Sequence, residues 1–329
     1  MSEKVLTITI PSYNVEKYLD RTLESMDIPD IMNDLEILVV NDGSKDNTVN
    51  IAQKYCDKYS ESVFLVNKEN GGHGSTINKG IELARGKYFK VVDGDDWIKP
   101  EALIKMIDVL KTSDVDMVLS PYERVYSGGD KIVTEAFEGV KYGVVYSFEA
   151  GKPFFESNYR MHTVTYRTEL LKQIPKISEK CYYVDVEYII YALTFLETLM
   201  FLPDTLYQYR CGEAEQSMNR HSMIKNRKMH EKVLFNMLNY CSSVIESNEK
   251  KLFHKKMLSK LARHHLDIYF SMHVDEDSKR ELNRVTNYIK ENYLAIYQDI
   301  DGVLPMLLRI SDNRLYPLCA FFWKKIYHF

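Results

Sequence analysis

Three closely spaced aspartates follow an apolar segment of the chain and could bind a metal ion. Residues 88–92 form a largely β-branched and aromatic run, which predicts a buried strand, and Asp93, Gly94, Asp95 and Asp96 follow it directly. Carboxylates this close repel one another unless a cation lies between them, so the spacing is typical of a divalent metal site. Asp and Gly are also the usual residues of a solvated turn, and this motif alone favours the turn.

Three other polar segments follow predicted strands and could line the same site. They begin at Pro11, Asn41 and Asn70, and the third contains Gly71 and Gly72, which allow backbone amides to approach an anion closely. Neither the Gly-x-x-x-x-Gly-Lys-Ser/Thr phosphate loop nor the full Gly-x-Gly-x-x-Gly fingerprint is present, which disfavours a dehydrogenase.

Predicted strands and helices alternate over the first part of the chain. Strands are predicted at 5–10, 35–40, 63–66, 88–92 and 115–120, and helices at 16–26, 46–59, 75–84 and 100–110. This alternation is typical of an α/β fold with a doubly wound, mostly parallel sheet, in which ligands bind beyond the carboxyl ends of the strands. We therefore expect the four polar segments to meet at one edge of the sheet.

The alternation ends after residue 123. Residues 126–158 are rich in Gly, Tyr, Val and Phe and predict irregular or antiparallel structure. Later helices are predicted at 221–246, 251–272 and 277–297. The sequence thus predicts two domains, residues 1–217 with the sheet and residues 218–329 as an appended helical region.

Charge is distributed unevenly along the chain. Residues 1–215 contain 24 Lys+Arg and 35 Asp+Glu, giving −11, whereas residues 216–329 contain 19 and 12, giving +7. A basic segment can meet anionic lipid or nucleic acid, although a solvated helical surface is the commoner explanation. The aromatic and basic end, residues 315–329, has the composition of an interfacial membrane helix, and packing against its own domain is an equal alternative.

Cysteine and histidine usage indicates neither a disulfide framework nor a zinc site. The five cysteines form no Cys-x-x-Cys pair, and seven of the nine histidines lie in the basic part without a paired ligand spacing. No signal peptide or apolar run of bilayer length is recognisable. We expect a cytoplasmic protein, with peripheral attachment to the inner face of the cell membrane left open.

Four polar motifs lie at the ends of consecutive predicted strands. They are Pro11-Ser12-Tyr13-Asn14, Asn41-Asp42-Gly43-Ser44, Asn70-Gly71-Gly72 and Asp93-Gly94-Asp95-Asp96. Their order and spacing resemble those of the inverting family 2 glycosyltransferases, which act on bacterial cell-surface polysaccharides or exopolysaccharides. The resemblance implies the GT-A fold, a Rossmann-like doubly wound sheet, and transfer of a hexose from a UDP-sugar.

The resemblance also implies a nucleotide pocket at the ends of the first three strands. Asp42 would bond the base, which in this family is most often uracil. The residues that would line or border the nucleotide are Pro11, Tyr13, Asn14, Lys68, Asn70 and Gly72.

By the same resemblance, the acidic cluster is the Asp-x-Asp motif of the family. Asp93 would face the ribose, Asp95 would bind Mn²⁺ or Mg²⁺ on the diphosphate, and Asp96 would lie close to the sugar and the acceptor, with Gly94 also in the donor site. Both ions are hard cations that prefer oxygen ligands.

Asp185 is expected near the amino end of a helix predicted at 186–195. Position alone favours a capping role for this carboxylate. The resemblance places the general base of the family here, and capping is compatible with it as a second role. Val184 stands where the family usually has an acid, so Glu187 is the fallback base.

A later segment resembles the closing Tyr-x-Tyr-Arg motif of the family, which is followed by Ser near the diphosphate. It comprises Tyr207, Tyr209, Arg210 and Ser217. The Gln-x-x-Arg-Trp motif of processive synthases is absent, so we expect one sugar to be added per event, to a hydroxyl of a glycan or lipid-linked acceptor.

Two other functions are weighed against an inverting, metal-dependent transferase. The first is a non-catalytic sugar-nucleotide-binding subunit of a glycosyltransferase complex, which Asp95 and Asp185 argue against. The second is a nucleotidyltransferase, which would need a Gly-rich basic loop directly after the first strand. An anionic membrane surface and a homodimer are left open as partners, and nucleic acid is not expected.

Overall fold

The computed structural model describes residues 4–126, 132–212, 220–244 and 247–326. The chain divides into two units, Met1–Glu213 and Ala214–Phe329. The first unit contains two β-sheets with helices packed on them, and the described part of the second unit is helical. The predicted α/β fold, with a mostly parallel sheet and a C-terminal helical region, is confirmed.

A large, mostly parallel sheet forms the centre of the first unit. The described strands in chain order are β1 (Leu6–Ser12), β2 (Leu35–Asn41), β3 (Val63–Asn67), β4 (Tyr88–Val91), β5 (Trp97–Ile98), β6 (Met117–Leu119), β7 (Tyr122–Tyr126), β8 (Ile132–Glu135), β9 (Val145–Ser147), β10 (Val164–Arg167), β11 (Thr198–Phe201) and β12 (Tyr207–Cys211). Eight of them pair in the order β3-β2-β1-β4-β10-β6-β11-β9, with β3, β2, β1 and β4 parallel. Strand β10 is antiparallel to both β4 and β6.

The helices of the first unit cover the large sheet. They are α1 (Leu19–Glu24), α2 (Thr48–Lys58), α3 (His73–Leu83), α4 (Pro100–Thr112), α5 (Phe148–Phe155), α6 (Thr168–Leu171) and α7 (Asp185–Leu193). Helix α3 lies so close to β1 that a Cβ atom at Gly80 would come within 2.0 Å of the Thr9 Oγ1 atom. Glycine at this position therefore allows the helix to reach the sheet.

Strands β1 and β2 are buried along their whole length, which explains their nearly continuous apolar sequence. Glu36 is the charged exception on β2. Its carboxylate accepts hydrogen bonds from the Thr7 hydroxyl at 2.7 Å and the Arg85 backbone N–H at 2.8 Å, and it is also paired with the Arg85 side chain. A buried carboxylate needs such partners to remain charged.

Several boundaries differ from the sequence-based expectation. Strand β1 continues through Pro11 and Ser12, because Ser12 pairs with Asn41 of β2. The helix expected at 16–26 is restricted to Leu19–Glu24. The segment expected to be irregular or antiparallel contains β8 and β9, which pair antiparallel with β7 and β11, and the second sheet has the order β5-β12-β7-β8.

The second unit consists of helices in its described residues. They are α8 (Arg220–Lys225), α9 (Arg227–Ser243), α10 (Asn248–Ser271), α11 (Glu276–Asn292), α12 (Leu294–Asp299), α13 (Val303–Ile310) and α14 (Tyr316–Ile326). The helix expected at 277–297 is interrupted at Tyr293, whose backbone leaves the helical region. Within the described residues, no helix combines the length and apolarity needed to span a bilayer.

Candidate active site

Asp42 connects the end of β2 to the glycine loop before α3. It is only 2% exposed, and its carboxylate accepts hydrogen bonds from the backbone N–H groups of Gly71 and Gly72 at 2.9 and 2.7 Å. The Lys68 ammonium pairs with the same carboxylate at 2.6 Å. In this structure the Asp42 oxygens therefore order the loop, and a nucleotide base would share them with these donors.

The loops after β1 and β2 are joined through Asn14. Its backbone has a left-handed φ of 54°, and its side-chain oxygen accepts the Lys45 N–H at 2.8 Å. The Asn14 N–H donates to the Ser44 hydroxyl at 3.0 Å. Tyr13 lies in the same loop with an exposed ring, whereas Pro11 is buried in β1.

The glycine loop also supports the segment that precedes α7. Gly72 has a φ of 81°, and a Cβ atom there would lie 3.2 Å from the Lys180 backbone nitrogen. The Lys180 N–H donates to the Gly71 carbonyl at 2.5 Å. Asn70 is exposed beside these contacts. The structure therefore brings the loop after β3 next to the segment that leads to Asp185.

Asp93 forms an ion pair with a histidine that the sequence analysis did not select. The His73 Nε2 atom, at the start of α3, lies 2.9 Å from the Asp93 Oδ1 atom. Burial opposes charge on the imidazole, but Asp93, Asp185 and Asp95 together raise the pKa of His73. Burial also opposes charge on Asp93, and the nearby His73 holds the pKa of that carboxyl below its usual value.

Asp96, which the resemblance places close to the sugar and the acceptor, is buried in the wall of the site. It is 2% exposed and accepts hydrogen bonds from the Tyr207 hydroxyl at 2.6 Å and the Arg210 backbone N–H at 2.7 Å. Burial, together with the charges of Asp95 and Asp93, raises the pKa of Asp96 well above its usual value. Tyr207 also accepts the Asp93 N–H at 3.1 Å, so β12 holds the acidic turn.

Asp95 is half-buried between its two acidic neighbours. Burial and the charge of Asp93 raise the pKa of Asp95 to about 6. Its backbone carbonyl accepts a hydrogen bond from Arg210 Nε at 2.9 Å, and the Arg210 guanidinium lies 4.2 Å from the centre of the Tyr18 ring. Gly94 is buried, and its N–H donates to the Pro11 carbonyl at 3.2 Å. Ser217 lies outside the described residues.

One group of side chains has the donor set and spacing for a divalent metal. Asp93, Asp96 and His162 each offer one ligand atom, and these atoms all lie within 4.8 Å of one another. Burial lowers the pKa of His162 to about 4, so its ring is neutral and can donate a lone pair, and no described group hydrogen-bonds to its Nδ1 atom. Two carboxylates and an imidazole are suitable ligands for a divalent metal ion. The family resemblance instead assigns Asp95 as the metal ligand.

The sequence analysis did not select His162, because a lone histidine carries no ligand spacing. The fold brings it to the acidic turn from the segment before β10, between the rings of Tyr122 and Tyr209, whose centroids lie 5.1 and 4.5 Å away. His73 directly follows the glycine motif, and this position is the sequence feature by which it could have been identified as a site residue.

Asp185 is the first residue of α7, and Val184 occupies the cap position without a side-chain cap bond. The Asp185 side chain is exposed to solvent within the site. Desolvation by the surrounding protein raises the pKa of Asp185, and the negative charge of Asp93 raises it further. Asp185 thus shares one electrostatic environment with Asp93 and His73.

Glu187, the fallback base, is in the wrong place for that role. It is fully buried, and its two oxygens accept hydrogen bonds from the Ser178 N–H at 2.6 Å and the Ser178 hydroxyl at 2.9 Å. With both oxygens bonded inside the protein, this carboxylate holds the segment before α7 and is not accessible to an acceptor.

Comparisons with known proteins agree with this arrangement of motifs. The family model "Glycosyl transferase family 2" matches residues 7–173. The chain is 36% identical to the "Putative glycosyltransferase EpsH" of Bacillus subtilis over 37% of this chain and 35% of that protein. It is 25% identical to the glycosyltransferase alr2836 of Nostoc sp. over 71% of this chain and 73% of that protein.

A solved structure shares the fold over nearly the whole chain. The crystal structure of S. aureus TarS 1–349 in complex with UDP-GlcNAc superposes with a TM-score of 0.70 at 20% identity, and the alignment covers 98% of this chain and 92% of that one. The similarity to EpsH spans only about a third of that protein. The family match covers half of this chain, and the protein is therefore a transferase that belongs to glycosyl transferase family 2.

Proposed function

We propose that this transferase moves one sugar per event from a UDP-sugar to a hydroxyl of a glycan or lipid-linked acceptor, with inversion at the anomeric carbon. The observation that carries the proposal is Asp185, an exposed carboxylate with a raised pKa beside the acidic turn. A UDP-linked donor is supported by TarS, which binds UDP-GlcNAc and UDP.

The donor occupies the edge of the sheet where the four polar loops end. Pro11, Tyr13 and Asn14 border the nucleotide on one side, and the loop held by Asp42 borders it on the other. The contacts between Asn14 and Lys45, and between Asp42 and Gly72, support a pocket that is ordered before the donor arrives. Such preorganisation lowers the cost of binding.

A divalent ion, Mn²⁺ or Mg²⁺, is part of this proposal. Asp93, Asp96 and His162 would hold it, with Asp95 as the ligand that the family resemblance adds. Hydrogen-bonded carboxylates retain lone pairs for a metal, so the contacts of Asp96 with the protein do not exclude this role. The bound ion would supply positive charge against the diphosphate.

The protein's own residues move the proton and hold the leaving group. Asp185 accepts the proton of the acceptor hydroxyl while the oxygen of that hydroxyl bonds to the anomeric carbon, and the bond from that carbon to the diphosphate breaks with its electron pair on UDP. Arg210, which is fixed to the Asp95 carbonyl, contributes positive charge near the diphosphate. Residues 1–217 carry this chemistry, and residues 218–329 associate with the acceptor or with a membrane.

Donor use and stereochemistry test the proposal directly. A panel of UDP-sugars with Mn²⁺ should raise the melting temperature for at least one donor, because a ligand that binds the folded state stabilises it. The same donor should release UDP in the presence of acceptor, and EDTA should stop the release. NMR of the product should show inversion, and retention would overturn the mechanism.

The non-catalytic subunit makes a different prediction in the same experiment. It would bind a UDP-sugar in the thermal assay and release no UDP with any acceptor. UDP release by the purified chain would therefore exclude it.

A further inference from the structure

Helix α13 exposes an apolar face. Val303, Met306 and Ile310 are 66%, 42% and 75% exposed. Their spacing of three and four residues places them on one side of the helix, opposite the buried residues of α13. Large apolar side chains on one helical face are expected to have a partner when the protein works.

Helix α14 exposes a second set of apolar side chains. Leu318, Phe321, Phe322 and Ile326 are 43%, 57%, 43% and 61% exposed. The opposite side of α14 packs into the second unit, where the Tyr316 hydroxyl donates to the Tyr269 carbonyl at 2.8 Å. The helix is thus anchored on one face and apolar on the other.

Helices α13 and α14 contact each other within the second unit. We call their exposed apolar side chains the α13–α14 surface, defined by Val303, Met306, Ile310, Leu318, Phe321, Phe322 and Ile326. The helices are too short to cross a bilayer, so a lipid partner would be met in the plane of the interface.

The charges within α13, α14 and the segment between them have one predominant sign. Residues 303–326 contain four basic side chains and one acidic side chain, Asp312, which gives a net charge of +3. Arg314 and Lys325 are exposed, and the negative charge of Asp312 is balanced by Lys290 at 3.1 Å. The apolar residues are therefore accompanied by cations able to meet negative groups.

The positive charge distinguishes between the two partners that the sequence left open, a second copy of the chain and an anionic membrane surface. If a second copy of the chain docked through the same surface, two segments that each carry a net charge of +3 would face each other and repel. An anionic lipid surface would complement the charge and accept the aromatic and aliphatic side chains below the headgroups. We propose that the α13–α14 surface binds the anionic headgroup region of a membrane, which goes beyond the transfer reaction and locates the enzyme beside lipid-linked or surface glycans.

Vesicle co-sedimentation of the full chain tests this inference. The protein should sediment with phosphatidylcholine–phosphatidylglycerol vesicles and not with phosphatidylcholine alone. The double variant Phe321→Ser/Phe322→Ser should lose binding, because the apolar contacts are removed. Arg314→Gln and Lys325→Gln should each weaken binding about fivefold, and added salt should reduce the remaining effect.

Matched controls use α10, where Leu252 is 56% exposed and Lys251 is also exposed. Leu252→Ser and Lys251→Gln remove the same kinds of group outside the α13–α14 surface and should leave binding unchanged. Absence of binding by the unmodified chain, equal binding to neutral vesicles, or full binding by the Phe321→Ser/Phe322→Ser variant would each overturn the inference. So would a dimer, measured by sedimentation velocity, that this double variant converts to monomer.

Discussion

Asp185 is expected to control catalysis while contributing little to donor binding. Asp185→Asn keeps the shape of the side chain but cannot accept a proton, so UDP release with acceptor should fall about 10²- to 10⁴-fold. Calorimetric binding of UDP should be nearly unchanged, because the proposed nucleotide pocket lies at other residues. Near-normal transfer by Asp185→Asn would eliminate it as the base.

The matched control for this substitution is Glu179→Gln. Glu179 is an exposed carboxylate in the segment before α7, where it accepts a hydrogen bond from Asn78 at 3.3 Å. Loss of one negative charge in this segment should leave turnover within about twofold if general base catalysis, rather than local charge, explains the effect of Asp185→Asn.

The three carboxylates of the acidic turn could be selected from the sequence, but their separate environments could not. Asp93 is paired with His73, and Asp96 is bonded to Tyr207. These partners lie 20 and 111 residues away along the chain, and only the folded sheet brings them to the turn. Periodicity and motif spacing describe neighbours in sequence, so partners from distant segments escape them.

At the level of elements, the packing of α3 on β1 depends on Gly80. A Cβ atom there would meet Thr9 Oγ1 at 2.0 Å and Thr9 Cβ at 2.8 Å. Gly80→Ala should therefore lower the free energy of unfolding by about 1–2 kcal/mol, because overpacking outweighs the gain of about 1 kcal/mol in helix propensity. Urea unfolding measures this difference.

Lys79→Ala provides the control on the same helix. Lys79 is partly exposed and pairs with Glu82, a surface interaction of small energy. Its substitution should change the free energy of unfolding by less than about 0.5 kcal/mol. Equal stability of Gly80→Ala and the unmodified protein would contradict the assigned role of the close approach.

Elements with local signals could be predicted, whereas the pairing between distant strands could not. The apolar runs that form β1 to β4 are bounded by polar loops, and their strands were identified within a few residues. The second sheet joins β12 to β7 in parallel and β12 to the two-residue β5, Trp97–Ile98. Such short strands are defined by their partners rather than by their own sequence pattern.

On the scale of the whole chain, the two units carry opposite net charge and bury different ionisable groups. The first unit buries carboxylates at its candidate site, whereas the second buries the stacked rings of His230 and His265, whose centroids lie 5.1 Å apart. The basic character of the second unit was visible in the sequence, but this histidine pair was not, because its members come from α9 and α10.

The second unit is therefore expected to lose stability on mild acidification. Burial, the neighbouring His230 and the cations Lys228, Arg284 and Arg227 lower the pKa of His265 well below 6.5. In the unfolded chain the His265 imidazole takes up a proton near pH 6.5, whereas in the folded state it stays neutral at that pH. The free energy of unfolding therefore keeps its full value above pH 6.5 and decreases by about 1.4 kcal/mol for each pH unit below it. Burial lowers the pKa of His230 to about 4, which acts in the same direction, whereas Asp267, with a pKa raised to about 6 by burial, opposes it.

Urea unfolding at pH 7.5 and pH 5.5 measures this loss for the full chain, and His265→Leu should reduce the difference between the two by about 1.4 kcal/mol. The leucine removes the proton-binding group, so this comparison is independent of any change in stability that it causes at pH 7.5. His273→Leu removes an exposed histidine of the same unit and should leave the difference unchanged. The same pH dependence in His265→Leu and the unmodified chain would show that the acid sensitivity arises elsewhere, because only a group that titrates differently in the folded and unfolded states can link stability to pH.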